Sequence, residues 1–446
     1  MKPIEEWLQK NRITEVECLV PDVSGIARGK ILPADKFLAG LKDDSLRLPE
    51  PVFVQTVTGD YPVEHVTNPA NVDVFLRPDP ATIRIVPWYP EPTAQVINDC
   101  YYADGTPVEM APRHVLKRIL DLYEQHGWRP IVAPELEFYL VNSNTDPDIP
   151  LQAPVGRSGR PESGRQAYGI DAVNEFDPLF EDLYAYCEKQ RIDIDTLSHE
   201  AGTAQMEMNL LHGESLSLAD QVFLFKRAAR ETAIRHKLYV TFMAKPMQNE
   251  PGSAMHLHQS VVDARTGKNL FSTRRGTDSR LFHSFVAGQQ KYLPSAMALL
   301  APNVNSYRRL RRHSDAPINL HWGLDNRTVG LRVPVSNGAN RRIENRVAGA
   351  DANPYLAIAA SLACGYLGMR EGLKPTRPIT GSAYRLAFTL PRQLTDALDL
   401  LKDCAPLREV LGDKFVETVV VVKLAEFEAY QAVISSWERE HLLLNV

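Results

Sequence analysis

The chain of 446 residues contains five cysteines, Cys18, Cys100, Cys187, Cys364 and Cys404, with no Cys-x-x-Cys spacing among them. That scarcity argues against a disulfide framework or a sulfur-rich zinc site and fits a reducing cytoplasm. No apolar stretch approaches the roughly 20 residues that span a bilayer, so no membrane association is expected. The valine run at 419–422, set between Glu417 and Lys423, reads as a packed helix turn. Residues 1–12 are polar around Trp7 and Leu8 and do not resemble a signal peptide. The net charge of −5 gives no basic footprint, which argues against a nucleic-acid partner. No internal repeat is visible.

What remains is a globular composition, 44% hydrophobic and 24% charged, over a length that calls for at least two domains. The first hundred residues read as short β elements. Residues 15–20 alternate, turn at Asp22-Val23-Ser24-Gly25 and return over 26–32, a hairpin signal. Further strands are expected at 72–76 and 82–86. The turn cluster Asp104-Gly105-Thr106-Pro107 places the expected boundary between domains 1–105 and 106–446. Beyond it helices alternate with strands. Pro112 opens a helix that stops at Gly127, and Asp177-Pro178 opens another. Ser217 with Asp220 reads as a capping-box opening of a helix to about His236, and Asn353-Pro354 starts one ending near Gly372. Strands are expected at 131–141, 239–243, 255–262 and 329–333, and an exposed loop at 142–169. The predicted class is α+β.

The chemistry lies in acids placed where a core is expected. Glu135 and Glu137 alternate with Leu136 and Phe138 in an apolar run, so both project from one face of a strand. Two adjacent buried carboxylates repel, and leaving them unpaired costs several kcal/mol each by order of magnitude, ~5 or so. A divalent cation is the simplest remedy. Glu200 and Glu207 flank Ala-Gly-Thr-Ala-Gln-Met, a turn-like segment that aims both acids at one point. His256, His258 and Ser260 alternate on one strand face, and Arg341, Arg342, Glu344 and Arg346 mix an acid among guanidiniums. Each of these alone is most often a solvated face; together, in apolar contexts, they point to one site. Five carboxylates and an imidazole suit Mg²⁺ or Mn²⁺ better than zinc. Two such ions with several arginines are what phosphoryl transfer requires.

These motifs, in this order, resemble the glutamine synthetase family over most of the chain. Asn303-Val304-Asn305-Ser306-Tyr307-Arg308-Arg309-Leu310 is similar to its Asn-x-x-Asn-Ser-Tyr-Lys-Arg-Leu signature. Asn326-Arg327, Leu331-Arg332-Val333-Pro334 and Asn353-Pro354-Tyr355 match further family segments, and the sequence from Asp22 to Lys30 resembles the start of its N-terminal domain. The resemblance implies an N-terminal β-grasp domain and a catalytic domain with a curved antiparallel sheet flanked by helices. It implies that Glu137, Glu200 and Glu207 hold one divalent ion and Glu135, His256 and Glu344 a second on the ATP phosphates. Arg327 and Arg332 would clamp those phosphates, with His258 and Ser260 near the nucleotide. Arg309 and the backbone of Gly252 would hold glutamate, and Arg346 would stabilise the phosphoryl group moving onto its γ-carboxylate. Asp315, within Ser314-Asp315-Ala316-Pro317, falls where the family has a flap glutamate. The implied assembly is a homo-oligomer, a dodecamer of two hexameric rings, with sites between subunits.

The match breaks around the nitrogen donor. Thr58-Gly59-Asp60-Tyr61-Pro62 stands where the family has Asp-Gly-Ser-Ser, so Asp60 takes the place of a catalytic aspartate, with a different surface beside it. Tyr168 falls near a tyrosine of the ammonium pocket. Pro251 replaces the asparagine of the family's Asn-Gly-Ser-Gly-Met-His loop, and Ala383-Tyr384-Arg385-Leu386 is a poor substitute for its adenylylation segment. These departures are similar to the branch that joins glutamate to amines, such as γ-glutamylpolyamine synthetases. A primary amine is therefore the expected acceptor. The alternatives are a glutamate–ammonia ligase and a catalytically silent relative kept for assembly or sensing.

Overall fold

The structure, a computed structural model, describes residues 2–62, 66–162, 164–312 and 315–446. Ser314, quoted above, lies outside them. The first sheet is built from β1 (Glu15–Pro21), β2 (Ala27–Pro33), β3 (Arg47–Pro49), β4 (Asp73–Pro78), β5 (Arg84–Val86) and β6 (Thr93–Tyr101). Its order is β2-β1-β6-β4-β3, with β5 also on β6. The expected hairpin forms, Glu15 facing Pro33 and Pro21 facing Ala27. Sequence reading overlooked β6 because Gln95, Asn98 and Asp99 break its apolar pattern. Those polar groups are buried but bonded: the Asn98 amide donates to Leu19 O at 3.1 Å, and Asp99 accepts from Arg113 at 2.7 Å.

The second sheet comprises β7 (Trp128–Asn142), β8 (Ile194–His199), β9 (Gln205–Leu210), β10 (Gly213–Glu214), β11 (Leu238–Thr241), β12 (Met255–Asp263), β13 (Trp322–Leu324), β14 (Leu331–Val333) and β15 (Ile343–Asn345). Its path is β13-β14-β15-β12-β7-β9-β8, with β10 and β11 on β7. The expectation of a purely antiparallel sheet needs correction, because β13 and β14 run parallel. They are three-residue strands at the sheet's end, β13 its edge, short enough for the 325–330 loop to carry the chain back to the same end. Asn326 folds that loop by accepting from Thr328 N at 3.0 Å. The sheets are therefore mixed and the class is α+β.

Helices cover the second sheet. The expected helices form at Pro112–Glu124, Asp177–Lys189 and Pro354–Glu371, the last capped by Asn353 and ended by Gly372 at φ 63°. The helix expected from Ser217 instead spans Ser215–Arg235. Asp220 does not cap it. Asp220 is buried and accepts from Arg113 Nε at 3.0 Å and from the Tyr355 hydroxyl at 2.7 Å. Arg113 also reaches Asp79 at 2.6 Å, so one guanidinium ties the first sheet to the helices. The Asn353 amide donates to Asp22 O at 2.9 Å and so pins the N-terminal hairpin turn. A helix unforeseen in the polar start, Lys2–Lys10, buries Ile4 and Leu8 one turn apart. The valines at 419–422 do lie in a helix, Asp413–Gln431. Among the described residues no helix is long and apolar enough to cross a membrane.

Candidate active site

The central strand β7 sets the site. Its neighbours pair so that polar residues fall in adjacent rows across one face. Glu137 faces Glu207 on β9, and Glu207 faces Ser198 on β8. One pleat along, Glu135 faces His256 on β12 and Asn209 on β9. In the next row His258 faces Glu344 on β15, which faces Arg332 on β14. Strand pairing alone thus brings together residues 200 positions apart in sequence. Glu200 stands just beyond β8, and the turn into β9 returns it to the Glu137–Glu207 row, its N–H donating to Gln205 O at 2.7 Å.

Side-chain oxygens of Glu137, Glu200 and Glu207 lie within 4.8 Å of one another. The same holds for Glu135, Glu207 and His256, and for Glu135, His258 and Glu344. His256 Nδ1 is 3.4 Å from Glu135 and 3.9 Å from Glu344, while His258 Nε2 is only 2.7 Å from Glu135 Oε1. His258 therefore belongs to the acid cluster as closely as His256 does, beyond the nucleotide contact expected of it. Arg342 Nε, 3.2 Å from His258 Nδ1, orients that ring.

The electrostatics divide the cluster in two. Burial pushes the Glu207 carboxyl up to about 9, with the charges of Glu135, Glu137 and Glu200 adding to it. Burial and the Glu200 charge raise Glu137 to about 8, and burial raises Glu200 as well. Protein groups alone leave these three acids short of compensating charge. On the other side, burial opposes ionisation of Glu135, yet hydrogen bonds from His256 and His258 hold it well below the usual carboxylate range. Glu344 is fully buried; against that burial, Arg346 and the two histidines hold it at about 2. Burial and then Arg346 lower His256, favouring the neutral imidazole that a metal requires.

A cavity of about 480 Å³ opens over this face. Glu135, Glu137, Glu200, Glu207 and His256 line it, with Gly252, Arg309, Arg327, Arg332 and Arg346 around them. Tyr168 and Asp315 are at its rim, both in left-handed backbone at φ 60° and 57°. A second cavity, about 630 Å³, holds His258, Ser260 and Arg342. The two share Glu135 and Asn209, so they meet at one end of the acid cluster. Buried Arg332 Nε, Arg346 Nε and Asn209 Oδ1 have no partner among the described residues, polar atoms left for a ligand. Arg332 also bonds Glu344 at 2.8 Å and Asp325 at 2.7 Å, and Arg346 bonds Glu344.

Gly252 is where backbone must come close: a Cβ there would stand 2.3 Å from Arg309 Cγ and 2.5 Å from Ala244 O. Its carbonyl accepts from Gln205 Nε2 at 3.0 Å. Asp60 does not join the others. It sits in its own turn, its carboxylate accepting from Thr58 Oγ1 at 2.8 Å, and that turn is held by Glu426 accepting from Val57 N at 2.9 Å. Within one chain Asp60 does not line the cavity. Sequence reasoning missed Asn209 and Gln205, although Gln205 and Glu207 share one short motif and Asn209 continues its alternation.

Residues 109–442 match the family described as glutamine synthetase, catalytic domain. The chain is 34% identical to the gamma-glutamylputrescine synthetase PuuA of Escherichia coli (strain K12), covering 99% of this chain and 94% of that protein. It is 32% identical to a glutamate–isopropylamine ligase of a Pseudomonas species, covering 98% and 96%. The solved structure titled Apo GmaS without ligand superposes with a TM-score of 0.86 at 26% identity, over 99% of this chain and all of that one. With the matched segment covering most of the chain, and the strand register carrying its acids into one cavity, this protein belongs to the glutamine synthetase family.

Proposed function

We propose that the protein is an ATP-dependent ligase that joins the γ-carboxylate of glutamate to a primary amine through a γ-glutamyl phosphate. The observation that carries this reading is the acid cluster facing Arg309, Arg327, Arg332 and Arg346 in one cavity, which meets at Glu135 a second cavity apt for a nucleotide. Two relatives that match nearly the whole of this chain are described as a gamma-glutamylputrescine synthetase and a glutamate–isopropylamine ligase, which supports an amine acceptor.

In this reading ATP lies along His258 and Ser260 with its terminal phosphate over the acid cluster, and Arg327 and Arg332 neutralise the phosphate oxygens. Arg309 holds the α-carboxylate of glutamate beside Gly252. The γ-carboxylate attacks the terminal phosphorus, ADP leaves, and Arg346 stabilises the charge gathering on the transferring group. The amine nitrogen then attacks the acyl phosphate, loses a proton, and expels inorganic phosphate to leave the amide. Asp315, at the rim, and Asp60, supplied by a neighbouring subunit, are placed in the reading to receive that proton and keep water out. Tyr168 borders the acceptor.

Mg²⁺ or Mn²⁺ fits the donor set: Glu137, Glu200 and Glu207 would hold one ion, and Glu135, His256 and Glu344 the other, with His258 close enough to share it. Bound there, such ions supply charge neutralisation for the phosphoryl oxygens. The three acids with raised carboxyl groups support this reading, because a dication supplies the charge that the protein does not. We read the first sheet as the β-grasp domain, residues 1–105, and the assembly as a dodecamer of two hexameric rings. That Asp60 does not line the cavity of its own chain supports sites shared between subunits. Five unbonded cysteines support a cytoplasmic setting.

The test is a panel of diamines, alkylamines, aromatic amines and ammonium, incubated with ATP, glutamate and Mg²⁺ or Mn²⁺ while phosphate release is followed. An organic amine giving the highest kcat/KM supports the reading. Ammonium outcompeting every amine would make the protein a glutamate–ammonia ligase instead.

A further inference from the structure

Glu200 differs from its partners in the acid cluster, since no strand register fixes it. The stretch that reads from sequence as an exposed loop, 142–169, returns to it through Glu162. Glu162 Oε2 accepts from Ala204 N at 2.7 Å and lies 3.1 Å from His199 Nε2. The His199 ring is fully buried, and its Nδ1 lies 2.7 Å from the Glu200 carbonyl oxygen. Farther along the same loop, Tyr168 N donates to His199 O at 2.9 Å. Both limbs of the Glu200 turn are thus gripped from the loop side, one through His199 and one at Ala204.

The turn needs that grip. Ala204 stands at φ 53°, a conformation L residues adopt only when their surroundings enforce it. Gly202 fills the bend under Tyr139, whose hydroxyl a Cβ there would meet at 2.0 Å. The other Glu162 oxygen, Oε1, is buried with no partner among the described residues. Burying a carboxylate so is unfavourable unless the turn it holds matters.

We propose that Glu162 and His199 are positioning residues that set the Glu200 carboxylate against Glu137 and Glu207 for divalent-ion binding. This rests on the reading of those three acids as an ion site. Neither residue lines the cavity; His199 acts on the backbone of Glu200, and Glu162 acts on His199 and on the far limb of the turn. Residues that orient a ligand in this way typically change metal affinity 10- to 100-fold, by order of magnitude, when removed.

The test titrates Mn²⁺ into the full-length assembled protein, following free Mn²⁺ by electron paramagnetic resonance, for wild type, Glu162→Ala, Glu162→Gln and Glu207→Ala. Glu162→Ala is expected to weaken Mn²⁺ binding about 10-fold. Its activity should need correspondingly more Mn²⁺, with kcat recovering at saturation. Glu162→Gln, which keeps an acceptor for Ala204 N–H, should fall between it and wild type. If Glu162→Ala does not fold, the same comparison on Glu162→Gln decides. Unchanged Mn²⁺ affinity in the folded Glu162 variants, or a lower kcat that extra Mn²⁺ does not restore, would overturn the proposal and leave the pair as a loop staple. Wild-type Mn²⁺ affinity in Glu207→Ala would instead overturn the ion-site reading beneath it.

Discussion

Glu137 and Glu207 face each other because β7 and β9 pair in one register. Glu200, Asp315, Arg327 and Tyr168 reach the same cavity from turns and loops. The two sets differ in how they can fail. A one-residue slip between strands would turn every acid of a row to the opposite face, so the strand-borne set stands or falls together with the sheet. Each loop-borne residue depends on its own local bonds, as the tie between Glu162 and Ala204 illustrates.

The comparison can be broken most severely at strand-borne Glu207 and at Arg346, the residue just beyond β15. Glu207→Ala or Arg346→Ala should lower kcat by more than about 10²-fold, the scale of losing a charge-stabilising group, while size-exclusion chromatography shows an unchanged assembly. Near-normal phosphate release by either variant would contradict the assignment. Next comes Gly252→Ala. Its Cβ meets Arg309 Cγ at 2.3 Å, so the guanidinium must move. A shift of that kind costs on the order of 10²-fold in kcat/KM, expected here for glutamate, while the KM for ATP stays close to wild type.

A third experiment sharpens the comparison through pH. The folded-state carboxyls of Glu137 and Glu207 are raised from 4.5 to about 8 and about 9. Between those limits the folded protein binds more protons than the unfolded chain. The stability they contribute is complete below pH 4.5 and lost as pH rises through 8 and 9. Metal-free protein should therefore show a Tm that falls from pH 6 to pH 9, and saturating Mg²⁺ or Mn²⁺ should flatten that slope. Equal slopes with and without the ion would refute it. The smallest effect belongs to the loop set. Tyr168→Phe, at an exposed residue, should change stability by no more than about 0.5 kcal/mol. It should alter the KM for the amine and leave that for glutamate alone, which steady-state kinetics will resolve.

The same division explains what could be read in advance. Glu135-Leu136-Glu137-Phe138 announces a strand with a polar face because alternation survives in sequence, and β7 and β12 emerged where expected. The register that sets His256 against Glu135 and His258 against Glu344 is a property of strands pairing across the chain, and no local pattern encodes it. Asp220 resembled a cap because Ser217 precedes it by three residues, yet Arg113, more than a hundred residues away, claims its carboxylate. Buried polar residues concealed β6 for the same reason: their partners lie elsewhere in the chain. The helix at Lys2–Lys10 escaped notice because only Ile4 and Leu8 are buried along it. Asp60 could be matched by position, but it does not line the cavity of its own chain, which only coordinates reveal.

The most direct test of the account is anomalous diffraction from crystals grown with Mn²⁺. Two peaks are expected in each site, one among Glu137, Glu200 and Glu207 and one among Glu135, His256 and Glu344. Peaks absent from both positions at saturating Mn²⁺ would contradict it.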